Sequence, residues 1–166
     1  MAKKQILIID NSGLSFTGDD INGPVLRGTE TSLILLSEEF AKKNIDVFFA
    51  TKTNQEKQLN GVYYINKNNI DKEKTYDLAI AVSNANLFDK IKSLKKAVFS
   101  VSNQSLEKFL RKRQFISTYT HKPVIVTLCD YQLKKRSFLT SPFGKLKIPI
   151  TVDRQFIDEE VDINFI

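Results

Sequence analysis

The sequence predicts an α/β domain with a doubly wound, mostly parallel sheet, and three observations carry that expectation. Aliphatic runs such as Ile6-Leu7-Ile8-Ile9 recur along the chain. Four apolar residues in a row suit a strand covered on both faces, whereas a strand with one wet face alternates. Between such runs lie segments with apolar residues at helical spacing, foremost Leu33, Leu36, Phe40 and Ala41. Strand and helix patterns take turns six or seven times, as they do when crossover helices link parallel strands.

The first strand is expected over residues 6–10, followed by a loop that carries Gly13, Gly18, Gly23 and Gly28. A helix then runs from Thr29 or Glu30 to about Lys43. Thr29 can cap it, Glu30 suits its positive end, and Lys42 and Lys43 suit its negative end. Residues 46–51 form the second strand and complete a βαβ unit. Residues 53–60 are polar and read as a loop or short helix, residues 61–65 as the third strand, and residues 66–74 as a polar, mobile link. Residues 76–82 are another buried strand, ending in the loop Ser83-Asn84-Ala85-Asn86. Leu87, Ile91 and Leu94 give the next segment a helical stripe. Residues 96–101 then read as a strand and residues 104–113 as a helix. Residues 123–128 repeat the strand pattern, with Pro123 at a first position that needs no ladder donor. Asp130 can cap a short helix over residues 131–139, ended by Pro142 and Gly144, and residues 147–152 form a last, peripheral strand. The chain contains no internal repeat.

A chain of 166 residues fits one domain with a sizeable core. Its 42% hydrophobic and 27% charged residues are those of a soluble globular protein, and no apolar run approaches the roughly 20 residues of a membrane span. Met1-Ala2-Lys3-Lys4 leads directly into the first strand, so no signal peptide is expected. One cysteine, Cys129, permits no internal disulfide and fits a reducing cytoplasm. With one Cys and one His, a zinc site is not expected. The net charge of +6 is uneven: residues 83–147 hold 14 Lys or Arg against Asp89, Glu107 and Asp130. An anionic membrane surface, a phosphorylated acceptor or nucleic acid would each meet such a half, although solvated helix faces account equally for Lys90, Lys92, Lys95 and Lys96. The triplets Arg111-Lys112-Arg113 and Lys134-Lys135-Arg136 lack interleaved aromatics, which makes nucleic acid the weakest of the three.

The loop between the first strand and the first helix holds the main candidate site. A helix start offers free backbone N–H groups and a partial positive charge, and Gly28 leaves that start open to an anion. The glycines stand five apart, so they form neither a G-x-G-x-x-G fingerprint nor a P-loop. The alternative is that they only turn a long surface loop. In doubly wound sheets ligands bind beyond the carboxyl ends of the strands, where this loop lies.

Four local patterns resemble the N-terminal domain of GT-B glycosyltransferases, in particular the retaining family 4, or group 1. Gly23-Pro24-Val25-Leu26-Arg27-Gly28-Thr29-Glu30-Thr31-Ser32, a Leu-rich helix and Lys43-Asn44-Ile45-Asp46-Val47 look like that family's Gly-Gly-x-Glu loop, helix and approach to the second strand. Cys129-Asp130-Tyr131-Gln132-Leu133-Lys134 is similar to its late Ser-x-Tyr/Phe helix, and Lys147-Ile148-Pro149-Ile150-Thr151-Val152-Asp153 to its Ile-Pro-Asn-Gly-Val-Asp segment. Phe99-Ser100-Val101-Ser102-Asn103 stands where the family often carries an acceptor-side His-Asp or His-Asn. The resemblance covers residues 5–157 and implies a Rossmann-like domain over residues 1–157, half of a GT-B fold, with residues 158–166 opening an interdomain linker or tail.

The resemblance further implies a sugar nucleotide as substrate, no cofactor, and a second, C-terminal domain that supplies most donor contacts, without which the chain is inactive. Donor phosphate would meet Arg27, Gly28 and Thr29, and the acceptor would meet Asn11, Ser83, Asn84 and Asn103. A cytoplasmic protein held at the inner face of the membrane by its basic half would reach lipid-linked acceptors. Arg27 departs from the family's first glycine, and Ser102-Asn103 from its histidine, so no catalytic residue is assigned. A non-catalytic α/β binding module and a flavodoxin-like regulator are the alternatives. Among single residues, Asp10 most simply caps its loop, His121 falls in a polar loop before Pro123, and Cys129 reads as a small core residue.

Overall fold

The computed structural model describes residues 3–24, 26–100, 113–134 and 143–148. Eight strands form one sheet in the order β3-β4-β2-β1-β5-β6-β7-β8, parallel throughout except for β3 at one edge. The strands are β1 (Gln5–Ile9), β2 (Asp46–Thr51), β3 (Lys57–Leu59), β4 (Val62–Asn66), β5 (Thr75–Val82), β6 (Lys92–Ser100), β7 (Val124–Thr127) and β8 (Lys145–Lys147). The helices are α1 (Gly28–Lys42), α2 (Arg113–His121) and α3 (Asp130–Lys134), joined by 3-10 turns at Gly18–Asn22, Lys67–Asn69 and Ala85–Lys90. The result is an α/β domain of Rossmann-like topology. The chain builds outward from β1 through β2 and β4, then returns to add β5 on the other side. The switch point therefore lies between β1 and β5.

Alternation along each strand divides the core into two layers. Ile6, Ile8, Val47, Phe49, Val62, Tyr64, Ile80 and Val82 face α1, whose Leu33 and Ile34 are fully buried against them. Leu7, Ile9, Ala50, Ala79, Ala81 and Val98 face the opposite way, under Ile70, Ala85, Phe88 and Ile91 from the 3-10 connections. Both faces are covered, which is why β1 reads as an unbroken aliphatic run. Helix α1 ends at Lys42 with Lys43 as its C-cap, and Asn44 takes φ 60, a left-handed conformation that asparagine tolerates and that turns the chain into β2.

Several expectations are corrected. Residues 53–60 are neither loop nor helix throughout, because Lys57–Leu59 pairs antiparallel with β4 across a tight turn. Asn60 and Gly61 both have positive φ there, the geometry of a two-residue hairpin. No helix follows Leu87. The chain makes one 3-10 segment and enters β6 at Lys92, four residues before the expected start, so that Leu94 lies on a strand and is 74% exposed. Residues 83–91 must lead back along the whole length of β5 to pair Lys92 with Thr75. The 3-10 winding advances about 2.0 Å per residue against about 1.5 Å for an α-helix, so it spans that return with fewer residues.

His121 is not in a loop but ends helix α2, where its Nε2 lies 2.9 Å from Asp89 Oδ1 and its ring packs edge-on to Phe88. Cys129 is exposed rather than a core residue. The last described strand is Lys145–Lys147, earlier than expected, because Gly144 accepts the Ile125 N–H and starts the pairing with β7. The expected helix over residues 104–113 lies outside the described residues except for Arg113, and so do residues 135–139 of the expected late helix and residues 149–152 of the expected last strand.

Candidate functional site at the carboxyl edge of the sheet

Asp10 follows β1 and is 2% exposed. Its carboxylate accepts from the Ser12 N–H at 3.0 Å and the Ser12 hydroxyl at 2.5 Å, so it caps the loop as expected. The loop then folds over the end of β2, where the buried Thr51 hydroxyl donates to the Phe16 carbonyl at 2.9 Å. The turn at Gly18–Asn22 is closed by Asp20, whose carboxylate accepts the Thr17 N–H at 2.8 Å. These bonds bring the chain to the start of α1 at the carboxyl edge.

Arg27 is the N-cap of α1, with extended backbone and no side-chain cap bond. Arg27 and Gly28 are exposed, and Arg27 has no ion pair among the described residues. Four of the six glycines have a conformational or close steric reason to be glycine. Gly13 and Gly61 have positive φ; at Gly18 a side chain would meet Leu59 and Tyr64 within 3 Å; at Gly23 it would meet the Asp20 carbonyl at 3.1 Å. A side chain on Gly144 would make ordinary contact with Val124 at 3.4 Å. Gly28 alone has neither a positive φ nor any neighbour within 4 Å of an added Cβ. Among the described residues, nothing fills the space beside that helix start.

Sequence reasoning gave Glu30 only a helix-start charge. It is the third residue of α1, 4% exposed, and its Oε2 is buried without a hydrogen-bond partner. A buried carboxylate oxygen without a donor among the described residues is costly.

Of the acceptor-side candidates, Asn11 is exposed just beyond β1. Ser83 and Asn84 follow β5, the strand beside β1, so all three stand at the switch point. Ser83 takes φ 56 and its N–H donates to the Phe99 carbonyl at 2.9 Å. The Asn84 side chain accepts the Asn86 N–H at 3.0 Å, capping the following 3-10 turn. Asn103 and both basic triplets, apart from the backbones of Arg113 and Lys134, lie outside the described residues.

One further feature escaped the sequence reading. A cleft of about 410 Å³ separates the β1–α1 loop from the β2–β3 connection, lined by Ser15, Thr17, Asp19, Asp20, Thr53 and Gln55 among others. Lys57 at its rim is paired with Asp19. Carboxylates, hydroxyls and amides of this kind bond hydroxyl-rich molecules well and anions poorly. Among the described residues no helix is long and apolar enough to cross a membrane. Set against known proteins, the chain matches no family model, no curated protein and no solved structure.

Proposed function

We propose that the domain is the acceptor-side half of a retaining glycosyltransferase that takes a sugar nucleotide, with a second domain supplying most donor contacts. The observation that carries this reading is the open start of α1 at Gly28, a glycine that no intramolecular contact requires. The sequence resemblance over residues 23–32 selects a sugar nucleotide from among anionic ligands.

In this reading the N–H groups of Gly28 and Thr29, joined by the Arg27 guanidinium, stabilise negative charge on the departing diphosphate. Glu30 sets a condition on the ligand. Its buried carboxylate offsets part of the helix's positive end, so a bare phosphate is disfavoured, whereas a sugar diphosphate brings hydroxyls as well as charge. The polar cleft beside the same loop suits a hydroxyl-bearing acceptor, and Asn11, Ser83 and Asn84 stand at the switch point between β1 and β5. Lys90, Lys95, Lys96 and Lys122 have no ion pair among the described residues and favour weak, salt-sensitive attachment to anionic membranes.

The test compares Gly28→Val with the parent in the two-domain enzyme, reading turnover per folded molecule beside the melting temperature. Turnover should fall at least tenfold while the melting temperature holds, because an added Cβ meets no described neighbour within 4 Å whereas the branched side chain blocks phosphate approach. Unchanged turnover in folded Gly28→Val would remove the phosphate role. The 166-residue chain alone should bind but not turn over.

A further inference from the structure

A second pocket, of about 300 Å³, lies on the face of the sheet opposite α1. It is assembled from Ile9 at the end of β1, the segment from Lys67 to Lys72 that leads from β4 back to β5, and the segment from Asn86 to Ile91 that leads from β5 back to β6. Ile9, Ile70 and Ile91 belong to the core layer on that face and make an apolar floor. The rim carries Lys67, Lys72 and Lys90, and no carboxylate lines the pocket. None of these lysines has an ion-pair partner among the described residues, whereas Lys92 nearby in sequence is paired with Glu73 and Lys57 with Asp19. Three like charges around one concavity repel each other, so an anion bound there relieves the repulsion as well as gaining attraction.

We propose that this pocket binds a phosphorylated small molecule with an apolar body, its phosphates on Lys67, Lys72 and Lys90 and its body on the isoleucine floor. The volume is at the lower bound for ligand pockets and fits a ligand of mononucleotide size. The site lies on the far face of the sheet from the start of α1 and does not depend on the glycosyltransferase reading.

The probes are ADP, inorganic pyrophosphate and adenosine, titrated calorimetrically into the full chain. Vesicles with and without phosphatidic acid form a separate arm. ADP should bind more tightly than pyrophosphate or adenosine, because only ADP fills rim and floor together. Lys72→Ala and Lys90→Ala should each weaken ADP about tenfold. Lys95→Ala and Lys96→Ala, equal changes of charge outside the pocket, should leave it within twofold. Equal losses from all four variants would reduce the effect to net charge and overturn the site. Binding to phosphatidic acid vesicles through Lys72 and Lys90 with no binding of ADP would overturn the small-molecule assignment. Pyrophosphate binding as tightly as ADP would overturn the role of the apolar floor.

Discussion

The two faces of the sheet solve the same packing problem differently. Beneath α1 the layer is thick: Phe16 meets Phe49 edge-on at 5.6 Å, and Phe49 stacks on Tyr64 at 5.8 Å. On the opposite face Ala50, Ala79 and Ala81 stand where large side chains would be, and short 3-10 connections, one of them starting at Ala85, lie down on them. A regular helix keeps its axis well away from a sheet and needs large side chains to fill the gap. A tight connection over alanines needs none. The difference teaches where stability and opportunity separate. The thick face concentrates apolar burial, while the thin face closes incompletely between its 3-10 connections and leaves the lysine-rimmed pocket.

The largest effect is expected on the thick face. Phe49→Ala removes a fully buried ring shared by Phe16 and Tyr64 and should lower unfolding free energy by about 3–5 kcal/mol in denaturant titrations. A loss below about 1 kcal/mol would mean that this face does not dominate. On the thin face the fault to introduce is excess volume. Ala79→Leu should cost about 1–3 kcal/mol, since nothing there can retreat without moving the 3-10 connection, and a stable Ala79→Leu variant would show the layer to be loose.

A pair of glycines sharpens the contrast within the loop leading to α1. In Gly18→Ala the new Cβ would lie 2.8 Å from Leu59 Cδ2 and 2.9 Å from the Tyr64 hydroxyl, so a loss of about 1–3 kcal/mol is expected. Gly28→Ala should stay within about 0.5 kcal/mol of the parent, because nothing lies within 4 Å of its Cβ. Equal melting temperatures for the two variants would contradict the close packing at Gly18.

The smallest effect concerns Tyr64, whose hydroxyl is buried without a partner. Burial first, then Glu38 and Asp19, pushes its pKa above the ordinary 10.0, and burial followed by Asp71 does the same for Tyr76. Above pH 10 the unfolded chain releases these protons and the folded chain retains them, so stability is full below that pH and falls as pH rises. Tyr64→Phe should therefore flatten the alkaline fall and, near neutral pH, be neutral or stabilising by up to about 1 kcal/mol. An unaltered alkaline slope in urea titrations between pH 9 and pH 11 would show that Tyr64 is not its source.

Much of the thick face was legible, because each of its signals is local. β2 falls on the expected residues 46–51, and α1 begins within a residue or two of the expected start. The hairpin at Asn60-Gly61 was also written in the sequence, but its outer strand is only three residues at an edge, Lys57-Gln58-Leu59, too short to carry an apolar pattern. Leu87, Ile91 and Leu94 matched helical spacing by coincidence. The length of the return from β5 to β6, which no local window contains, decided that segment. Helix α2 was missed because its buried positions include Ser117 and Thr118, held by bonds to Asp89 and to the Gln114 carbonyl rather than by an apolar stripe. Of the candidate site, Gly28 was visible from its place before a helix. The buried Glu30 oxygen and the lysine pocket were not, since the first is a fact of burial and the second joins residues from three separated segments.

The most direct test of the central claim is an amide chemical-shift titration of the 166-residue chain with a uridine diphosphate sugar. Because most donor contacts are assigned to a second domain, binding should be weak, in the millimolar range. The shifts should concentrate on Gly28, Thr29 and Glu30, and should disappear in Gly28→Val while its fold persists. Shifts confined to Lys67, Lys72, Asn86 and Lys90, or none at the start of α1, would contradict it.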